Sequence, residues 1–408
     1  MRKILRKIDL NSFQVATNET VRDINRRIVL NLVRKHQPIS RADLVRQSGL
    51  QRSTVSLITE QLIAERWLRE GQVGQLPRGR WPTFLHLNED RTGIFGINVR
   101  PAATNMALAN LAGRFLFQES MPTPATAEEF VKQITERIGV LMKERPEMSY
   151  EGIGVSLPGR VDLASQKFIF APNLGWQEED LKNRLERATG LAVDLENEAN
   201  ACALSEFWFG RHTDGARNLI VVAVSEGIGV GMILNGSLVR GPSGLAGEFG
   251  HVTLSENGPK CGCGNHGCWE VFASNSAALR YYADAKIAGL NGNKHAAKRK
   301  QPVTFEDVLD MAEHGDLKAV EALERMAAYL GKGIAMLVTG LAPEAIVVVG
   351  EVTRAWDRVG PIITDVVKQR AFTHATAKIM ASGPAPLPRL RGIIALVLQK
   401  HFGAPPVA

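Results

Sequence analysis

The chain has 408 residues, 45% hydrophobic and 22% charged, with a net charge of +7. That length exceeds what one hydrophobic core usually holds, so two or three domains are expected, with the composition of a soluble globular protein. No apolar run reaches the ~18 residues of a membrane helix, and the N-terminus MRKILRKIDLNSF lacks the apolar stretch of a secretory signal. No membrane span and a cytoplasmic location are therefore expected.

The charge is unevenly placed. Residues 1–88 hold 16 Lys and Arg against 7 Asp and Glu, a balance of +9, whereas residues 89–408 hold 33 against 35, a balance of −2. A basic segment ahead of a near-neutral body suggests a nucleic-acid-binding module joined to something else. Domains are accordingly expected at 1–88 and 89–408.

The first helix is predicted over about Thr20 to Lys35. Val21, Ile24, Ile28 and Leu32 fall at helical spacing, with Arg22, Arg26, Arg27 and Arg34 elsewhere on the surface. Pro38 stops it. Ser40 is a good N-cap for a short helix RADLVRQS, with Asp43 at its third position. Gly49-Leu50 makes a turn into a third helix, about Gln51 to Ala64, with Val55, Ile58, Leu62 and Ile63 inward. Three helices with a short glycine turn before the last form a helix-turn-helix. Gln51, Arg52, Ser53, Thr54 and Ser56 open the third helix, where small polar residues and an arginine can meet base edges and phosphates. Trp67-Leu68 and Thr83–Leu87 then read as strands of a wing. Its loop carries Arg78 and Arg80, suited to a minor groove and so to A·T-rich flanks.

From Gly93 the pattern becomes short apolar strands alternating with helices. Strands are predicted at 93–99, 104–110 and 114–119, a helix at about 127–143 and a strand at 152–156. A second set follows at 218–225, 229–234 and 237–240, with a buried helix over 331–338 and a strand at 345–349. Residues 291–301 read as an exposed loop. Two strand-meander-plus-helix halves predict a duplicated α/β domain with a cleft between them.

Three of the four cysteines lie within eight residues. With His251, the residues Cys261, Cys263 and Cys268 follow H-x9-C-x-C-x4-C, the ligand set of a closed tetrahedral Cys₃His zinc site. Gly262, Gly264 and Gly267 supply tight turns. A disulfide or unrelated buried thiols is the alternative. One structural zinc ion per chain is the expectation, since no open ligand position is evident. Closing this site would draw Glu248 and Glu270 together beside His251, as acceptors for the vicinal hydroxyls of a sugar or as two ordinary surface carboxylates.

The segments GIGVSLPGRVD, NLGW, ENEANACALSE, EGIGVGMILNG, AGEFGH and CGCGNHGCWE, with the winged helix ahead of them, resemble the transcriptional repressors of the ROK family. This family groups repressors, open reading frames and sugar kinases, and includes bacterial N-acetylglucosamine, glucose and xylose repressors. The resemblance implies the duplicated α/β, actin-like (sugar kinase, RNase H-like) ATPase fold behind an N-terminal winged helix-turn-helix. It matches the zinc ligands to His251, Cys261, Cys263 and Cys268. It maps sugar contacts onto Asn173, Asn197, Glu198, Glu248, His251 and Glu270, with His251 serving metal through one ring nitrogen and sugar through the other.

The chain departs from the family's kinases at two places. Their D-x-G-G-T phosphate loop is matched by Asn98-Val99-Arg100-Pro101-Ala102, in which Asn98 is neutral and Pro101 has no N–H to give. The position of their catalytic Asp is Glu198, one methylene longer. The second glycine loop, Glu226–Gly231, survives, for phosphate or for the backbone needs of a hairpin. These features favour a sugar-responsive repressor with no kinase activity. It would be a homodimer or dimer of dimers, reading a palindromic double-stranded operator and answering to a sugar or sugar phosphate. The alternatives are an active sugar kinase with a fused DNA-binding domain and a repressor controlled by a protein partner.

Overall fold

The computed structural model describes residues 18–73, 82–162, 167–170, 174–176, 180–210, 216–241, 244–285, 302–372, 377–382 and 388–403. The predicted contacts Arg78, Arg80 and Asn173 and the loop 291–301 lie outside these residues.

The head starts with α1 (Asn18–His36), β1 (Ile39–Ser40), α2 (Arg41–Ser48) and α3 (Arg52–Ala64), followed by β2 (Leu68–Val73) and β3 (Thr83–Leu87). The capping box at the start of α2 forms: Ser40 accepts from the Asp43 amide, and the Asp43 side chain accepts from the Ser40 amide. Gly49 closes α2 in the left-handed region, φ 70°, a conformation that glycine adopts without a Cβ penalty. The strands pair in the order β1-β3-β2, all antiparallel. Val55, Ile58 and Leu62 of α3 are buried, as the spacing predicts, whereas Ile63 is only half-buried.

Helix α1 differs from the expectation. Val21 and Ile28 are exposed, at 49% and 37%, and the buried face is Val29, Leu30 and Val33. Two of its arginines are also not free surface groups. Arg27 donates to the Gly403 carbonyl at 2.8 Å, and Arg34 stacks over Trp208 and Phe402. The cause is tertiary: α1 packs against the far end of the chain.

The body opens with β4 (Thr92–Val99), β5 (Ala103–Asn110), β6 (Phe115–Pro122), α4 (Ala127–Glu144), β7 (Ser149–Leu157), β8 (Arg160–Val161), β9 (Phe168–Phe170), α5 (Leu181–Thr189), β10 (Val193–Asn197) and α6 (Glu198–Phe209). The first sheet runs β10-β7-β4-β5-β6, with β10, β7 and β4 parallel and the meander β4-β5-β6 antiparallel. The second half contributes β11 (Leu219–Val224), β12 (Ile228–Leu234), β13 (Ser237–Leu238), α7 (Glu270–Ala273), α8 (Asn275–Asp284), α9 (Phe305–Glu313), α10 (Leu317–Leu341), β14 (Ala345–Val349), α11 (Trp356–Arg370), β15 (Lys378–Ala381) and α12 (Pro388–Phe402). Its sheet, β13-β12-β11-β14-β15, repeats the plan: β11, β14 and β15 are parallel, and β11-β12-β13 is antiparallel. The predicted buried segment 331–338 is the middle of the 25-residue helix α10.

Two helices lie between the sheets. Helix α6 packs on β11 and β12 of the second half, and α12 packs on β4 and β7 of the first. They also pack on each other. A Cβ at Gly392 of α12 would fall 1.6 Å from the Ala201 carbonyl of α6. Ala199, Cys202 and Ala203 of α6 share a core with Leu219, Val221 and Ile233, and Ala395 of α12 joins it. Another apolar cluster runs from Val29, Leu30 and Leu62 of the head into Ile394, Val397 and Phe402 of α12. No helix of the described residues is long and apolar enough to cross a membrane.

Candidate effector cleft and metal centre

The carboxyl ends of the parallel strands converge between the two halves, where ligands enter sheets of this kind. Asn98 and Val99 end β4, Ser156 and Leu157 end β7, and Asn197 ends β10. From the other half come Ser225 and Glu226 after β11, and Gly350 and Glu351 after β14.

Asn197 caps α6, its side chain accepting from the Asn200 amide at 2.7 Å. A predicted sugar contact is thus partly committed, since its oxygen serves the helix. The next residue, Glu198, is ion-paired with Arg389 at the start of α12. Arg389 is buried, at 8% exposure. Burial works against its charge, but Glu198 and Glu351 outweigh it and hold the guanidinium pKa above its ordinary value.

Arg100 crosses the cleft. Its guanidinium meets Glu226 at 3.1 Å and Glu351 at 3.2 Å, both from the other half. Burial raises the Glu226 pKa, yet Arg100 overrides this and holds it below the ordinary carboxylate range. Asn275 donates to the second oxygen of Glu351 at 3.2 Å. Two guanidinium groups and three carboxylates therefore share the cleft floor. Asn98 Oδ1 and Ser156 Oγ, both buried, have no hydrogen-bond partner among the described residues. The glycines of the surviving loop have a packing cause: a Cβ at Gly231 would stand 2.3 Å from the Ala199 carbonyl.

On the second half, His251, Cys261, Cys263 and Cys268 converge with ligand atoms all within 4.8 Å of one another. His251 Nδ1 is 3.6 Å from Cys261 Sγ, and Cys263 Sγ is 3.7 Å from Cys268 Sγ. Zinc–sulfur and zinc–nitrogen bonds of about 2.3 and 2.0–2.1 Å in a tetrahedron require edges of roughly 3.5–3.8 Å. Two edges of the cluster have that length, so the donor set is one that could hold a tetrahedral ion, and no disulfide joins these cysteines. Gly264 and Gly267 adopt φ of 99° and 64°; Gly262, also expected to turn, does not take positive φ. A Cβ at Gly267 would fall 1.6 Å from the Ser255 carbonyl. Behind the cluster, Trp269 is wholly buried and donates from Nε1 to the Tyr329 carbonyl of α10 at 3.0 Å.

The two carboxylates flank the imidazole as expected. Glu248 lies 3.7 Å from Nε2, and Glu270 lies 3.5 Å from Nδ1. Glu270 also touches the Cys261 thiol at 2.9 Å and faces the Ile228 amide at 3.4 Å, between the cysteines and the glycine loop. Burial and Glu270 together push the Cys261 thiol up.

At the head, Gln51, Arg52 and Ser53 are exposed and Thr54 and Ser56 half-buried at the start of α3, opposite its buried face. Leu57 is exposed beside them, at 55%. The cleft residues missed by sequence reasoning are Arg389, Glu351 and Asn275. Glu351 had a weak signal, a Gly-Glu pair ending an apolar strand; Arg389 had none.

Residues 94–399 match the sequence profile of the ROK family. The chain belongs to that family. It is 33% identical over 88% of its length to the xylose repressor of Bacillus spizizenii, 90% of which is covered. It is also 33% identical, over 70% of its length, to 86% of a glucokinase of Halalkalibacterium halodurans. Among solved structures, a ROK family transcriptional regulator, a homolog of the E. coli MLC protein, superposes with a TM-score of 0.81. The identity is 25%, with 94% of this chain and 98% of that chain covered. The ROK actin-like fold behind an N-terminal helical head is therefore the architecture of this protein.

Proposed function

We propose that the protein is a sugar-responsive transcriptional repressor, with a DNA-reading head in residues 1–88 and a ROK effector domain in 89–408. One observation carries the reading: the segment matching the kinases' phosphate loop holds Arg100, bound to Glu226 and Glu351. A nucleotide triphosphate placed there would have to break both ion pairs and approach two carboxylates. Glu198, in place of the catalytic base, is itself paired with Arg389. The cleft binds sugar and does not phosphorylate it.

His251, Cys261, Cys263 and Cys268 would hold a zinc ion, which shapes the loop and cross-links it when bound. This chain's own groups then do the recognition. Glu248 and Glu270 accept hydrogen bonds from hydroxyls, the ring nitrogen of His251 turned away from the metal donates its N–H to a sugar oxygen, and Asn197 and Glu198 meet the ligand from the other side of the cleft; Asn173 belongs to the same proposed set. Gln51, Arg52, Ser53, Thr54 and Ser56 read the major groove, with Arg78 and Arg80 in a flanking minor groove. Two copies of the chain face a palindromic operator, and sugar shifts the population away from the DNA-binding form. A coupling of ~1–3 kcal/mol gives a ~5–150-fold change in operator affinity.

The test combines two measurements on the full chain. Calorimetry with xylose, glucose, N-acetylglucosamine and their phosphates should find one binder. The same sugar should weaken the complex with a duplex selected from a random-sequence pool. In a coupled assay with ATP no sugar should turn over above background. Robust phosphorylation of one sugar would make the protein a kinase.

A further inference from the structure

Helices α6 and α12 share a geometry that the sugar site alone does not require. Both begin at the cleft, with Glu198 as the first residue of α6 and Arg389 as the second of α12. Both end at the head. Trp208 near the end of α6 and Phe402 at the end of α12 hold the guanidinium of Arg34 from α1, at 4.6 and 5.7 Å from the ring centroids. Phe402 and Gly403 also accept hydrogen bonds from Asn31 and Arg27 of α1, at 2.7 and 2.8 Å, and Trp67 at the base of the wing meets the rings of His401, tilted, and Phe402, edge-on. At 1.5 Å per residue, α6 and α12 span about 18 and 22 Å.

The two helices belong to opposite halves. Helix α6 is seated on β11 and β12, and α12 on β4 and β7. The contact between them is close, with Gly392 against the Ala201 carbonyl. A relative movement of the halves would be carried through this helix pair. Arg34 touches both ends and registers the offset.

We propose that α6 and α12 form a paired lever between the sugar cleft and the DNA-reading head, with the Glu198–Arg389 ion pair as its effector-sensitive end and the Arg34 stack on Trp208 and Phe402 as its output. The inference rests on the proposed role of the cleft as a sugar site. A sugar hydroxyl that engages Glu198 competes with Arg389 for the carboxylate. Loss of the pair frees the N-terminal ends of the helices, the offset changes, and α1 moves with Arg34. Arg389 is then a positioning residue, touching no operator and acting through α12.

The test uses the full-length zinc-loaded protein and the selected duplex, without sugar, followed by fluorescence anisotropy. Glu198→Gln and Arg389→Gln should each weaken DNA binding about 5–150-fold, and the double variant should lose no more than the weaker single variant. Arg389→Lys, which keeps the charge, should restore most of the affinity. In an Arg34→Gln background, Glu198→Gln should change nothing further, because the output is already cut. A merely structural pair would lower the melting midpoint and leave the affinity of the folded fraction unmoved. Should Arg389→Gln fail to fold, Glu198→Gln with and without Arg34→Gln decides. Folded, zinc-containing Glu198→Gln with wild-type affinity overturns the lever, as does a loss additive with Arg34→Gln. A wild-type protein that binds none of the sugars, while these variants behave as expected, would overturn the sugar reading and leave the lever standing.

Discussion

Gly333 and Gly340 lie two turns apart on α10, and the same substitution should have opposite signs at the two sites. A Cβ at Gly333 would stand 1.9, 2.3 and 2.4 Å from three carbons of the Trp269 indole. Ordinary carbon contacts need about 3.5–4.0 Å, so ring or helix must give by roughly 1.5 Å. The ring cannot swing out, because Trp269 is wholly buried and hydrogen-bonded to Tyr329 on the same helix. Overpacking of this kind costs ~1–3 kcal/mol, and the ~1 kcal/mol gained from replacing a helical glycine offsets only part of it. At Gly340 no atom lies within 4 Å, so the helix gain stands alone. Gly333→Ala should therefore lower the unfolding midpoint and Gly340→Ala raise it slightly, in urea or thermal melts of the zinc-loaded protein. Because Trp269 follows Cys268, Gly333→Ala should also release zinc at a lower chelator concentration. Equal midpoints and equal zinc retention in the two variants would refute the packing argument.

Cys263→Ser should abolish stoichiometric zinc and sugar binding and destabilise the protein by several kcal/mol, since structural zinc contributes directly to folding; wild-type protein purified without chelator and free of zinc would rule this out. Burial raises the carboxyl of Glu206, on α6, from 4.5 to about 7, with Arg391 opposing. A folded pKa above the unfolded one gives stability that is present at low pH and lost as pH climbs from about 4.5 through 7, by at most ~3 kcal/mol. Glu206→Gln should flatten that decline in midpoints measured from pH 4.5 to 8. Arg52→Ala should cost ~1–3 kcal/mol at one base position if it reads guanine; a loss uniform across sequences, with a salt slope smaller by about one, would assign it to phosphate instead. Glu198→Asp should remain inactive with ATP and sugars, because Arg100 still occupies the loop; turnover above background would count against the proposed block.

What could be read without the structure was local. Helix α2 was recovered end to end, since Ser40, Asp43 and Gly49 fix both its termini within a few residues. The His251–Cys268 cluster was legible for the same reason: its ligands lie within eighteen positions, and cysteine has few other uses in such a pattern. The buried face of α1 was not legible, because its partner lies at the other end of the chain; the bond from Arg27 to Gly403 spans 376 positions. The commitments of Glu198 and Arg100 were hidden likewise. The family resemblance implies that Glu198 and Arg100 lie near a cleft, but only the paired sheets bring Glu226, Glu351 and Arg389 to them.

The apolar seam between the head and the last turns of α12 bears on how new regulators could be assembled from this one. Val29, Leu30 and Leu62 share a core with Val397 and Phe402, so a head lifted out at the wing would carry a raw greasy patch into water and leave another behind. A hybrid that swaps operators by exchanging heads must therefore import both ends of the gene, the reading head and the closing helix, as a matched set.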